Sequence, residues 1–389
     1  MPSKILFLAR WYPDRYDPMM GLFIKRHAEV VAGFVDVAVL YLRAAPDKTY
    51  GFRIDQKIDN KVVTTIVYYG TDRVRHPFLA KLIAGFMFVI AFYKGYKFIL
   101  KTWYKPEIIH VNVLTRLGLF ALWLRWFKGI RYVITEHWSR YLSITGTYKG
   151  LFRKLFTKLV VRNADTVSTV SENLAVAMQS HGLKNNHYLV LPNVVDTDEY
   201  TIAEARLVTD KKRFIHISCF EDRSKNISGL LHAISKLAET RNDFESIMVG
   251  EGIDLEKMKT LAIKLGLDSS KVIFTGLLEN HEVVDAYHSA DFMVMFSNFE
   301  NMPAVISECL SCGLPVVATA VGGIPEYINS DNGRLVDAGD EAALTEAINF
   351  MLNHSSDFNK KQIRQNAVEI FGKQAVAQKL KELYSFVKY

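Results

Sequence analysis

The chain has 389 residues, 49% hydrophobic and 23% charged, with three cysteines and a formal net charge of +7. This composition is ordinary for a soluble globular protein, and the length exceeds what one compact core usually holds, so two domains are expected. No run of 18 or more apolar residues is read, which excludes a membrane span; the opening apolar run, 5–9, reads as a buried strand rather than a signal peptide, and the cysteines are expected to stay reduced in the cytoplasm.

The charge is unevenly placed. Residues 1–200 carry 28 Lys+Arg against 15 Asp+Glu, a balance of +13, whereas the remainder carries 20 against 26, or −6. Much of the positive charge sits in aromatic segments: "FYKGYKFILKTWYK" (92–105), "LWLRWFKGIRY" (122–132) and "YKGLFRKLFTKLVVR" (148–162). No helix-turn-helix, zinc-finger or RNA-binding signature accompanies them, so nucleic acid is not the expected partner. Basic helices with aromatic residues settle at headgroups, which points to an anionic membrane surface. The apolar run 82–93 is short enough for a buried or interfacial helix.

Taken in order, short β-branched runs predict strands at 5–9, 35–42, 62–69, 108–111, 132–135, 166–170 and 187–191, with a helix at 23–32. A second series begins after the acidic "PNVVDTDEY" (192–200). It has strands at 214–218, 245–249, 272–275, 292–296, 316–318 and 333–336, and helices at 227–240, 254–265, 282–289 and 341–352. The alternation predicts an α/β chain of two Rossmann-like, doubly wound parallel-sheet domains facing across a cleft. The domains are expected at 1–195 and 196–370, with 371–389 packing back on the first.

One stretch carries the chemistry: "FSNFENMPAVISECLSCGLPVVAT" (296–319). Pro303 suits a helix start because its missing N–H would have no intrahelical partner there. Gly313 and Pro315 then end the helix before an apolar strand. Glu300 lies in the turn before the helix and Glu308 inside it. The free N–H groups of Met302, Ala304 and Val305 would converge where the helix dipole favours phosphate. Two hydroxyl acceptors flanking a phosphate site match a sugar nucleotide. Ligands in such sheets sit beyond the C-terminal strand ends, where Glu300 falls.

Glu300, Glu308 and "CGLPVVATAVGGIPEYI" (312–328) resemble the retaining nucleotide-sugar glycosyltransferases of family 4, which have the GT-B fold. Further pieces in matching order include "GLFIKRHAEVV", "ITEHWSRY" (134–141), "SKN" (224–226), "VGEG" (249–252) and "ADFMVMFSNFEN" (290–301). The resemblance implies that Glu300, with Asn301, binds the donor sugar and Glu308 the ribose. It implies that Lys225 neutralises the departing diphosphate and that His137 lies beside the reacting face of the sugar. Gly21 would let backbone approach phosphate or acceptor, and the main chain near Leu278 would contact the base. One departure stands out: Cys219 occupies a position where the family usually has arginine. Arg223 is the candidate to supply the missing charge.

"DTD" (196–198) reads as a turn, and Cys309 with Cys312 as small buried helix residues; no metal or other cofactor is expected. The partners implied are a nucleotide-sugar and a glycan or polyprenyl-linked acceptor, handled at the inner face of the cytoplasmic membrane. The resemblance implies retention, and no carboxylate offers itself for covalent attack, so the expected route is a front-face displacement. Two alternatives are a sugar-nucleotide epimerase of the same fold and a non-catalytic partner subunit, the second suggested by Cys219.

Overall fold

The computed structural model describes residues 2–45, 51–70, 77–114, 116–204 and 211–387. The first half runs β1 (Lys4–Ala9), α1 (Leu22–Ala32), β2 (Asp36–Ala44), β3 (Phe52–Asp59), β4 (Val62–Tyr69), α2 (Pro77–Thr102), β5 (Ile108–Asn112), α3 (Arg116–Lys128), β6 (Arg131–Glu136), α4 (Leu151–Asn163), β7 (Val167–Thr169), α5 (Glu172–Ser180) and β8 (Tyr188–Val190). The second runs β9 (Lys212–Ile217), the helical turn α6 (Asp222–Lys225), α7 (Ile227–Ala238), β10 (Phe244–Val249), α8 (Leu255–Lys264), β11 (Val272–Gly276), α9 (His281–Ser289), β12 (Phe292–Met295), α10 (Ala304–Ser311), β13 (Val316–Thr319), β14 (Gly333–Val336), α11 (Glu341–His354), α12 (Lys360–Phe371) and α13 (Lys373–Ser385).

Each half builds its own sheet, so the chain has two α/β domains. The first sheet is ordered β3-β4-β2-β1-β5-β6-β7-β8 and the second β11-β10-β9-β12-β13-β14. Alternation sorts the side chains of β1: Ile5 and Phe7 join one buried layer with α1 and α13, while Leu6 and Leu8 join the opposite layer with α2 and α3. Because both faces are covered, "ILFLA" and "IIHVN" are buried throughout. In the second sheet the order reverses direction between β9 and β12, and in the first between β1 and β5. These are the points where doubly wound sheets open a crevice at their C-terminal edge.

Two features correct the sequence reading. β3 is an additional strand, antiparallel to β4. Its sequence "FRIDQKID" is a half-exposed edge with polar residues on both faces, so it lacks the apolar run that marks a central strand. Secondly, α2 has 26 residues, and its stretch Lys81–Thr102 is long and apolar enough to cross a membrane by length and composition, with a third of the window buried. Lysines 94, 97 and 101 break the linear run, which is why the sequence showed only 82–93 as apolar. One side of α2 packs on the sheet through Phe88, Phe92, Tyr96 and Ile99; Phe86, Val89 and Tyr93 stand exposed on the other.

The chain end returns to the first half. Val195 donates its N–H to Phe371 O at 2.9 Å, Lys373 pairs with Asp196 at 2.7 Å, and α13 buries Val376, Leu380 and Tyr384 against the first sheet. The aspartates of "DTD" serve this crossing and their own turn, with Asp198 N bonded to Asp196 Oδ1 at 3.2 Å.

Candidate active site

The loops that leave β9 and β12 meet the loop after β6 in a cavity of about 340 Å³. The second half contributes Cys219, Lys225, Glu300, Asn301, Met302 and Ala304; the first contributes His137, Trp138 and Asn193. The sequence reading singled out His137, Lys225, Glu300, Asn301, Met302 and Ala304, and the fold brings these six to one wall-to-wall space.

Lys225 ends α6, and its Nζ is hydrogen-bonded to Glu300 Oε1, which also accepts from Ser297 Oγ at 3.0 Å. Burial pulls the Lys225 ammonium down, yet Glu300, Cys219 and Glu221 outweigh it and hold the group above its ordinary value. Lys225 is therefore charged at neutral pH. Glu300 is placed by close backbone packing: Gly322 has φ +58°, and a Cβ there would stand 1.8 Å from Glu300 O. Gly323 N donates to Asn301 O at 2.6 Å. Only glycine fits the first of these positions.

His137 follows β6. Its carbonyl accepts from Asn301 Nδ2 at 2.6 Å, which ties the two halves together beside the cavity. The imidazole packs on Phe23 with centroids 4.5 Å apart. Burial, with His27 and His110 close by, holds it well below the ordinary histidine range, so the ring is neutral. Its Nε2 is buried without a hydrogen-bond partner of normal length among the described residues, although Asn193 is near enough to favour the protonated form. Upstream, the buried Glu136 carboxylate accepts N–H bonds from Leu114, His137 and Trp138 at 2.7 to 2.9 Å. Burial pushes this carboxyl up to about 7 against those three bonds. No motif marked Glu136 as special beyond its place in "ITEHWSRY"; its role emerges only when β5 and β6 lie side by side.

The remaining expected residues lie around this space. Gly21, at φ +67°, caps α1, and a Cβ there would meet the Trp11 carbonyl at 2.5 Å; it lets Trp11, not Gly21, line the cavity. Glu308 is buried one helical turn back on α10, and its Oε1 accepts from Arg26 Nη1 of α1 at 2.7 Å, leaving Oε2 without a bond among the described residues. Val305 offers its carbonyl to Tyr287 at 2.9 Å and stays off the cavity wall. Leu278 is half-buried in the loop after β11. Arg223 is exposed on α6, where its carbonyl accepts from Asn298; it does not reach the cavity, so the cation among the described lining residues is Lys225. Trp11, Phe23, Trp138 and Asn193 were not singled out from the sequence: the three aromatic types signal core packing, and Asn193 sits in a connecting segment without a motif of its own until the fold brings it to the cavity. Among the described residues, no group of three or more His, Cys, Asp or Glu is placed to hold a metal ion.

Comparison with known proteins agrees with this architecture. Residues 198–370 match the family description "Glycosyl transferases group 1" and residues 35–199 match "Glycosyltransferase Family 4". The chain is 24% identical over 298 residues to N-acetyl-alpha-D-glucosaminyl L-malate synthase of Bacillus anthracis, covering 72% of this chain and 74% of that protein. It is 26% identical over 366 residues to a glycosyltransferase of Bacillus subtilis (strain 168) named for teichuronic acid biosynthesis, covering 89% and 88%. The solved structure of Anabaena HepE in complex with UDP superposes with a TM-score of 0.74 at 18% identity, covering 99% of this chain and all of that one, a likeness of fold. The chain belongs to the family 4 glycosyltransferases of the GT-B fold, and its activity is glycosyl transfer.

Proposed function

We propose that this glycosyltransferase moves a sugar, with retention of anomeric configuration, from a nucleotide-sugar to a hydroxyl of a lipid-linked or surface-polysaccharide acceptor. The observation that carries the reading is the meeting of Lys225, Glu300 and His137 in one interdomain cavity. The UDP held by HepE and the name of the Bacillus subtilis relative support the donor and acceptor classes.

In this reading the donor lies along the C-terminal edge of the second sheet. Glu308 Oε2 takes a ribose hydroxyl while Arg26 fixes the carboxylate through Oε1. The N-terminus of α10, open at Ala304, and Lys225 face the diphosphate. Glu300 accepts hydroxyls of the sugar, and neutral His137 offers a hydrogen bond at its reacting face. As the glycosidic C–O bond breaks, negative charge grows on the diphosphate and Lys225 offsets it, a task for which no metal ion is invoked. The acceptor hydroxyl attacks from the same side, forming the new C–O bond, and its proton passes to the departing phosphate oxygen. Orientation and preorganised charge do the catalytic work. The acceptor is assigned to the first domain (1–195 with 371–389) and the donor to 196–370. We further assign the enzyme to the inner face of the cytoplasmic membrane, where the exposed apolar and basic faces of α2, α3 and α4 would rest on anionic lipid.

The test is the anomer released when donor is hydrolysed without acceptor, followed by proton NMR before mutarotation. From an α-linked donor the α-sugar should appear first, and Glu300→Gln should slow its appearance. Initial release of the β-sugar would overturn retention.

A further inference from the structure

A second cavity, of about 490 Å³, opens at the C-terminal edge of the first sheet. Its rim is built from the ends of five parallel strands: Arg10 after β1, Ala44 of β2, Tyr69 of β4, Leu114 after β5 and Trp138 after β6. This is the switch point between β1 and β5, where such sheets bind ligands. Trp138 also lines the cavity that holds Lys225 and Glu300, so the two spaces adjoin at this side chain.

Four arginines line it, Arg10, Arg116, Arg140 and Arg153, and none of the described lining residues is acidic. Nearby arginines are neutralised: Arg43 pairs with Asp14, and Arg125 and Arg131 share Asp165. The four in the cavity have no ion pair among the described residues. Arg140 is the most constrained. Its guanidinium lies 3.4 Å from the Trp138 ring centroid, and its Nε is buried without a hydrogen-bond partner among the described residues. Burial, then the charge of Arg153, hold Arg140 below its ordinary range, with Arg10 adding to them and Tyr141 and Glu136 opposing. Like charges gathered around a buried, unpartnered donor are relieved by an anion, and the planar fork of arginine matches phosphate oxygens two at a time. Apolar side chains lie exposed beside these arginines: Leu119 and Phe156 on the cavity wall, and Phe152 and Leu155 further along α4.

We propose that this cavity is the acceptor subsite for a phosphate or diphosphate group, carried by the acceptor close to the hydroxyl that receives the sugar. The phosphate sits among the four arginines on one side of Trp138, and the hydroxyl reaches past Trp138 to the donor. Exposed apolar side chains beside a phosphate pocket suit a lipid phosphate; a soluble phosphorylated acceptor shares the anionic half of that chemistry. The inference rests on the glycosyltransferase reading above, and its site is distinct from the donor cavity.

The test is calorimetric binding of farnesyl diphosphate, farnesol and inorganic pyrophosphate to the full chain in saturating UDP, repeated on Arg140→Gln/Arg153→Gln and on Arg116→Gln. Farnesyl diphosphate should bind, farnesol should not, and the double variant should bind about tenfold more weakly or worse, as loss of hydrogen bonds to a charged group implies. Its UDP binding should match the wild type, which shows that it is folded; if the double variant does not fold, the single Arg116→Gln carries the comparison. Farnesyl diphosphate binding more tightly than pyrophosphate supports the lipid source; equal binding supports the soluble one. Binding of farnesyl diphosphate that is unchanged in both variants, or matched by farnesol, overturns the proposal while leaving the donor site intact. Failure of UDP to bind the wild type in the same experiment would strike the donor reading instead.

Discussion

Lys225 and Glu300 neutralise one another in the free protein, and the proposed reaction uses each for a different part of the donor. Replacing Lys225 with Met keeps the apolar stem and removes the charge that meets the departing diphosphate. We expect kcat to fall by about 10²- to 10³-fold, the usual scale for one preorganised transition-state contact, with circular dichroism unchanged; steady-state rates within a few-fold of wild type would remove Lys225 from the mechanism. Glu136 is a positioning residue of another kind, since it does not itself line the cavity and instead holds the backbone N–H groups of Leu114 and of the lining residues His137 and Trp138. Glu136→Gln turns one acceptor oxygen into a donor facing those N–H groups. Urea unfolding should show a loss of about 1–3 kcal/mol, and unaltered stability would mean that water or a backbone shift replaces the carboxylate. That Lys225, Glu300 and His137 would share one space was legible in the sequence because their types and order match a family, and one cavity is lined by all three. Glu136 was not, because a carboxylate buried by two neighbouring strands has no sequence signature. The Arg26 partner of Glu308 was hidden for the same reason, lying 282 positions away.

At the scale of elements, the second sheet was legible nearly strand for strand, since "FIHIS", "FMVMF" and "PVVAT" are apolar runs between loop signals. The edge strand β3 and the full length of α2 were not, because exposure on an edge and interspersed lysines erase the apolar run. The exposed faces of α2, α3 and α4 carry Phe86, Tyr93, Trp126, Phe127 and Phe152 among lysines and arginines. Sedimentation with vesicles should show binding that requires anionic lipid and weakens with added salt; equal binding to neutral vesicles would contradict the electrostatic part of the account. The strand β9 adds a pH dependence. His216 is buried between Val294 O and Ser218 Oγ, and burial lowers it to about 4. The unfolded chain binds this proton below about 6.5 and the folded chain not until about 4, so the stability it contributes is complete above 6.5 and is lost as pH falls through that window. His27, also held at about 4 by burial, acts in the same direction, whereas Glu136, pushed up to about 7, acts against it. Stability should therefore fall between pH 6.5 and 5, and His216→Gln should reduce that fall by about 2 kcal/mol. An identical fall in the variant would show that His216 titrates normally in the folded chain.

At the scale of the whole molecule, the two halves are joined by bonds that converge on the cleft: Arg26 to Glu308, Asn301 to the His137 carbonyl, and Asn193 to the Met302 carbonyl. A fourth contact lies outside the cavity. Glu326 accepts the N–H groups of Glu172 and Asn173 at 2.8 Å each, placing a carboxylate from the second half on the N-terminus of α5. Glu326→Ala should loosen the halves, seen as a larger radius of gyration in small-angle scattering with nucleotide affinity preserved; an unchanged radius would show that the apolar interface alone fixes the spacing. The central claim is that the cleft between the halves holds a nucleotide-sugar through Lys225 and Glu308. Its most direct test is a thermal-shift screen of the chain against UDP, GDP, ADP, CMP and their common sugar conjugates, repeated on Glu308→Ala and Lys225→Met. The account predicts that one nucleotide and its conjugates raise the melting temperature and that both substitutions abolish or sharply reduce the rise. No shift with any of them in folded protein, or an equal shift in both variants, would contradict it.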